Sequence, residues 1–155
     1  MPLDTPVEFL YVNQTEVFTP ESILAAGVDD LISTNPYTGE SGPARKGTVA
    51  ATLNNVALLN KLLTKSDAPE NQTKIDKISR SIITLLPSLR VIGVFDLFTP
   101  QEWLANDDQP GRILGVVLYF QHYPQEITSS IKERLIQIQN QTKIKVLAEA
   151  IAKII

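Results

Sequence analysis

The stretch from Thr48 to Lys65, TVAATLNNVALLNKLLTK, constrains most strongly what this chain can fold into. Wound on a helix at about 100° per residue, it sets Val49, Leu53, Val56, Leu59 and Leu63 on one broad apolar face. Leu58 and Leu62 carry apolar surface round the other side, and only a narrow strip, Asn54, Lys61 and Lys65, is left for water. A helix apolar on nearly all sides has to be covered by other elements. The rest of the chain is therefore expected to pack around this one.

Several segments have the pattern to cover it. Thr73 to Leu86 places Ile75, Ile78, Ile82, Leu85 and Leu86 inward and Lys74, Lys77 and Arg80 outward, and Pro87 is expected to interrupt or kink its path. Gln125 to Gln139 carries the stripe Ile127, Ile131, Leu135 and Ile138. Arg112 to Tyr123, RILGVVLYFQHY, is apolar all round; its length and the prolines at either end favour a second buried helix. Leu89 to Phe98 fits a buried helix or a strand equally well, because periodicity does not separate the two in a short apolar run. The expectation is a mainly α single domain over residues 1–155, an orthogonal bundle of about six or seven helices with a small β element allowed. The alternative is an α+β fold with strands near 7–12, 89–95 and 113–120.

The connections carry their own signals. Thr19 and Pro20 suit a helix start and Gly27 its end. Asp29 to Gly47 reads as a long loop, of a length uncommon without its own order or a function. Ser66 to Asn71 reads as a break and Asn106 to Gly111 as a turn, while Thr99, Pro100 and Glu102 form a capping-box start. Two internal echoes stand out. Phe18-Thr19-Pro20 with Leu24-Ala25 returns as Phe98-Thr99-Pro100 with Leu104-Ala105, and Asn71-Gln72-Thr73-Lys74-Ile75 returns as Asn140-Gln141-Thr142-Lys143-Ile144. They fit a duplication into halves 1–86 and 87–155, or helix-start chemistry reached twice. The chain closes on an apolar stripe, Ile144, Leu147, Ile151, Ile154 and Ile155, which must be buried in the core or against a second copy. A homodimer is the expectation this raises.

Composition narrows the function. The longest unbroken apolar run, Ile113 to Phe120, is far short of the roughly 20 residues that span a bilayer. No basic segment followed by an apolar one opens the sequence, so no signal peptide is expected. Cysteine is absent, which excludes disulfides and thiolate chemistry, and a cytoplasmic location is the plain reading. The net charge of −3 divides unevenly: residues 1–44 carry −7 and the remainder +4. No dense Lys/Arg stripe interleaved with aromatics is present, so nucleic acid is not an expected partner.

Candidate chemistry is sparse. Asn-Gln-Thr occurs at 13–15, 71–73 and 140–142; with no secretory signal it reads as capping rather than glycosylation. Gly42 to Thr48 (GPARKGT) departs from a phosphate loop, because no Lys follows Gly47 and no apolar strand precedes it. What stays open is an anion site at Arg45, Lys46, Gly47 and Thr48, where basic side chains meet a helix start, with Arg112 and His122 as possible additions. The other reading is a surface loop whose bases pair with the acidic N-terminal arm. His122 is the only histidine, and pairs with Asp96, Glu102 or Asp107 have no spacing that fixes them; it reads as a core-edge residue. No metal-ligand spacing, cofactor fingerprint or catalytic triad is found. Trp103, the lone tryptophan, reads as a packing anchor, or as a binding anchor if exposed. The leading expectation is a non-catalytic protein that works by binding a protein partner or itself. The alternative is a binder of, or enzyme for, a small anionic molecule at the loop before helix 48–65.

Overall fold

The computed structural model describes residues 31–44, 47–65 and 69–155. Over these the chain is mainly α with one small antiparallel sheet. A hairpin comes first, β1 (Leu31–Thr34) and β2 (Ser41–Ala44). Then follow α1 (Thr48–Leu63), α2 (Pro69–Ile92), the single turns α3 (Val94–Leu97) and α4 (Pro100–Trp103), α5 (Pro110–His122), α6 (Ser129–Gln141) and α7 (Lys145–Ala152). The expected helical bundle with a small β element is thus the observed class. The expected strand at 7–12 and the helix start at Thr19 lie outside the described residues.

α1 packs on both α2 and α5. Its buried residues include Ala51, Val56, Leu58, Leu59 and Leu63, and Leu59 is wholly inaccessible. α5 is the second inner helix: every residue from Ile113 to Phe120 is buried. Strands at 89–95 and 113–120 are excluded. Leu89 to Ile92 completes α2, and 113–120 lies within α5.

Three local expectations need correction. Pro87 does not end or divide its helix, because α2 runs through it to Ile92. α2 stops instead at Gly93, whose N–H still bonds the carbonyls of Leu89 and Arg90, both at 3.1 Å, while its φ of 85° turns the following chain out of the helix. The break expected from Ser66 to Asn71 is shorter, since Pro69 already opens α2. The supposed long loop from Asp29 to Gly47 contains the hairpin. Asn35 turns the chain: its side-chain oxygen accepts from the backbone N–H of Tyr37 (2.8 Å) and Thr38 (3.1 Å), and Gly39 takes a φ of 75°. The strands LIST and SGPA lack a long apolar alternation because they lie as a ribbon on α2, where Ser33 and Ser88 donate side-chain hydrogen bonds to the carbonyls of Val91 and Pro43.

Thr99 and Glu102 make the expected reciprocal capping box. The helix expected from Gln125 starts later: Pro124–Glu126 form a separate 3-10 turn, and α6 begins at Ser129, where the Thr128 hydroxyl accepts from Ile131 N–H. In α7, Leu147 and Ile151 are buried within this chain's own main core, and α7 packs on α5 and α6. Ile144 and Ile154 pack partly buried against the same core, and Ile155 is 36% exposed. Asn71 to Ile75 lies within α2, whereas Asn140 to Ile144 spans the end of α6 and the approach to α7. Among the described residues no helix is long and apolar enough to cross a membrane.

Candidate functional site

Two glycines four residues apart on α5 admit close neighbours, Gly111 the backbone of α1 and Gly115 the Trp103 ring of α4. A Cβ on Gly111 would stand 2.4 Å from the Val56 carbonyl oxygen and 2.6 Å from Asn60 N. A Cβ on Gly115 would meet Trp103 Cζ3 at 3.3 Å. With no side chains there, the start of α5 lies directly against α1. Asn60 locks the contact, its Oδ1 accepting from Gly111 N–H at 2.5 Å and its Nδ2 donating to Gln109 Oε1 at 2.7 Å.

Beside this contact the surface opens into a pocket of about 430 Å³. One wall is a stripe of α1: Val49, Leu53, Val56, Ala57 and Asn60, spaced at helical repeats. Facing it are Val94, Phe95 and Phe98 from α3 and its end, with Trp103 of α4. Gln109 and Arg112 stand at one end, where α5 begins. Leu53 and Phe98 are about half exposed, 54% and 51%. Leu53 therefore does not belong to the core face on which the apolar pattern places it. It lies on the pocket wall, open to solvent.

A buried polar cluster backs the aromatic wall. Phe95 stacks on Tyr119 with ring centroids 4.2 Å apart and meets Trp103 edge-on at 5.6 Å. Tyr119 in turn contacts Arg90, the one buried charged side chain among the described residues, at 2.9 Å. Glu40, the residue just before β2, holds Arg90 by two bonds of 2.7 and 2.8 Å. Glu126 bonds both Arg90 and the Tyr119 hydroxyl, and the Tyr123 ring covers the guanidinium at 4.3 Å. The hydrogen bond to Glu40 is the main influence holding the Arg90 proton more firmly than usual. That same bond lowers the pKa of Glu40. Burial raises the pKa of the Tyr119 hydroxyl, and the hydrogen bond to Glu126 adds to it. Asn35 ties the hairpin to the same region, donating to the Arg90 carbonyl at 2.6 Å and to Asp96 at 3.0 Å. Every charge in the cluster has a partner, so it serves as a clamp joining the hairpin, α2 and α5 behind the pocket.

Arg45 and Lys46 lie outside the described residues. Gly47 caps α1 with a φ of 82°, and Thr48 is buried. Arg112 alone of the named residues lines the pocket. His122 is exposed at the far end of α5, its Nδ1 3.1 Å from the Leu118 carbonyl oxygen. Its imagined partners are engaged elsewhere: Asp96 with Asn35, Glu102 in its capping box and Asp107 with Arg134. Among the described residues no group of three or more His, Asp or Glu side chains is placed to hold a metal. Trp103 is buried and lines the pocket as well, so it packs and borders the site at once. Phe95, Phe98 and Gln109 carry no site signal in the sequence, apart from the Gly93 stop for the two aromatics, after which Val94, Phe95, Phe98 and Trp103 line the pocket with α1.

Fold and site together define a small helical domain with a preformed, largely apolar cavity and one cationic side chain at its end. The chain belongs to the family described as "Domain of unknown function (DUF7709)", whose match covers residues 38–123, more than half of the sequence and every pocket residue named above. No curated protein and no solved structure gives a match.

Proposed function

We propose that this protein acts by binding a small, mainly apolar molecule in the pocket between α1, α3, α4 and the start of α5. The observation that carries this reading is the cavity itself. Its volume of about 430 Å³ falls within the range of about 300–1,000 Å³ usual for small-molecule sites. Its walls are aliphatic and aromatic with a few polar groups at one end, which is the usual composition of such a site. The lining supports binding over catalysis. It presents no carboxylate and no histidine among the described residues, and its one hydroxyl, Thr52 Oγ1, already donates to the Thr48 carbonyl at 2.8 Å.

The only tryptophan, Trp103, borders the cavity and reports on its occupancy. Titration with small apolar compounds is expected to give a saturable change in Trp103 emission. Ala57→Phe, which fills the pocket from an exposed helical position, is expected to abolish that change without altering thermal unfolding. Absence of a saturable change in the wild-type protein across a chemically varied set of such compounds would overturn the reading.

A second reading is favoured by one observation. Leu97 is 71% exposed and sits beside the half-exposed Phe98, so the pocket mouth continues into an apolar surface that a protein partner, or a second copy, would cover. Leu97→Ser separates the two readings. It would weaken docking of a protein but leave small-molecule titration unchanged, because Leu97 is not part of the pocket lining.

A further inference from the structure

We infer that the ligand is an amphipathic organic acid, its apolar body against Phe95, Phe98 and Trp103 and its carboxylate at Gln109 and Arg112; this rests on the pocket being the binding site. The inference begins with an N–H that can only donate. Gly111 N–H points at the Asn60 side chain at 2.5 Å, so the atom facing it must be the amide oxygen. That orientation turns the Asn60 NH2 group toward Gln109, whose facing atom at 2.7 Å must then be its own oxygen. The Gln109 NH2 group is left over, with no partner among the described residues. One turn further along α5, the Arg112 side chain likewise makes no ion pair or hydrogen bond among the described residues.

The polar end of the pocket therefore offers chiefly donors, one of them permanently charged. A neutral apolar ligand leaves both donors unanswered. A carboxylate answers them with its two oxygens, one or both on the guanidinium. The walls at the other end, aliphatic on α1 and aromatic opposite, pack an apolar body that lies between Phe98 and the α1 stripe. The charge selects the head group, and the cavity limits the size of the body.

The test uses the full chain and a matched pair of probes, decanoic acid and 1-decanol, titrated against Trp103 emission in wild type, Arg112→Gln and Ala57→Phe. Arg112 is exposed, and equal thermal unfolding of Arg112→Gln and wild type is the check that only the site has changed. The acid is expected to bind wild type about tenfold or more tightly than the alcohol, as for a hydrogen bond to a charged group. In Arg112→Gln that preference is expected to vanish, with alcohol affinity unchanged, and Ala57→Phe should bind neither. If acid and alcohol bind wild type equally, the ligand class is overturned, and if the preference survives in Arg112→Gln, the placement of the carboxylate at Arg112 is overturned; the pocket reading stands in either case. If both probes bind Ala57→Phe as they bind wild type, the pocket reading fails and this inference fails with it; if neither binds wild type, this inference fails and the chemically varied set decides the pocket reading.

Discussion

Arg90 shows how much one residue can hold together here. Its side chain is about 9% exposed, yet its carboxylate partners Glu40 and Glu126 stay partly in water at 46% and 31%. Replacing it with Met removes the bonds to both carboxylates and leaves the Tyr119 hydroxyl with Glu126 alone. Because the carboxylates can regain water, the expected loss is about 2–3 kcal/mol, measured by urea unfolding. Arg90→Lys should recover only part of it, since an ammonium cannot form the two-pronged contact with Glu40. A pH dependence follows from the same contact. Arg90 holds the pKa of Glu40 below its ordinary value of 4.5. The contribution of this pair is therefore complete above that ordinary value and is lost as pH falls through the lower folded value. Melting temperature measured from pH 7 to pH 3 should fall less in Glu40→Gln than in wild type. An equal fall in the two proteins would show that Glu40 is not a source of acid sensitivity.

Between elements, the decisive contact is that of α1 with α5. Gly111→Ala would drive a methyl group into the Val56 carbonyl and the Asn60 amide, both backbone atoms that cannot step aside. The helices would have to separate, breaking the Asn60 bonds to Gly111 and Gln109, and the expected loss is at the upper end of about 1–3 kcal/mol for overpacking or beyond it. Gly115→Ala meets a tryptophan ring edge at 3.3 Å, a contact relieved by a small ring shift. It should be milder in unfolding experiments but shift Trp103 emission, since the displaced ring borders the pocket. If the two variants unfold alike, the close approach at Gly111 is not what sets the spacing of these helices.

For the whole molecule, residues far apart in sequence share one core. Leu59 on α1 and Ile151 on α7 are both fully inaccessible and belong to the same apolar cluster. Leu59→Ala and Ile151→Ala should each lose about 2–5 kcal/mol and lower a single shared transition. Leu53→Ala, at a half-exposed pocket position, should stay within about 0.5 kcal/mol while weakening ligand titration. A large loss at Leu53 would mean that the pocket face is closed in solution.

The helical class, the inner roles of α1 and α5, the Thr99 capping box and the inward stripe of α6 were legible in the sequence. Each depends on neighbours within three or four positions, and helical period reports those directly. The hairpin was not legible, because its short strands are stabilised by α2 rather than by an apolar alternation of their own. Nor was the passage of α2 through Pro87, where the surrounding helix and its packing outweigh the local preference. The site is the clearest case. Val49, Leu53 and Val56 look alike as a helical stripe whether a helix or a cavity faces them. Which it is depends on the fold-back at Gly93, the spacing set by Gly111 and the Arg90 clamp behind Phe95. These are contacts between segments tens of residues apart, and only the folded chain brings them together.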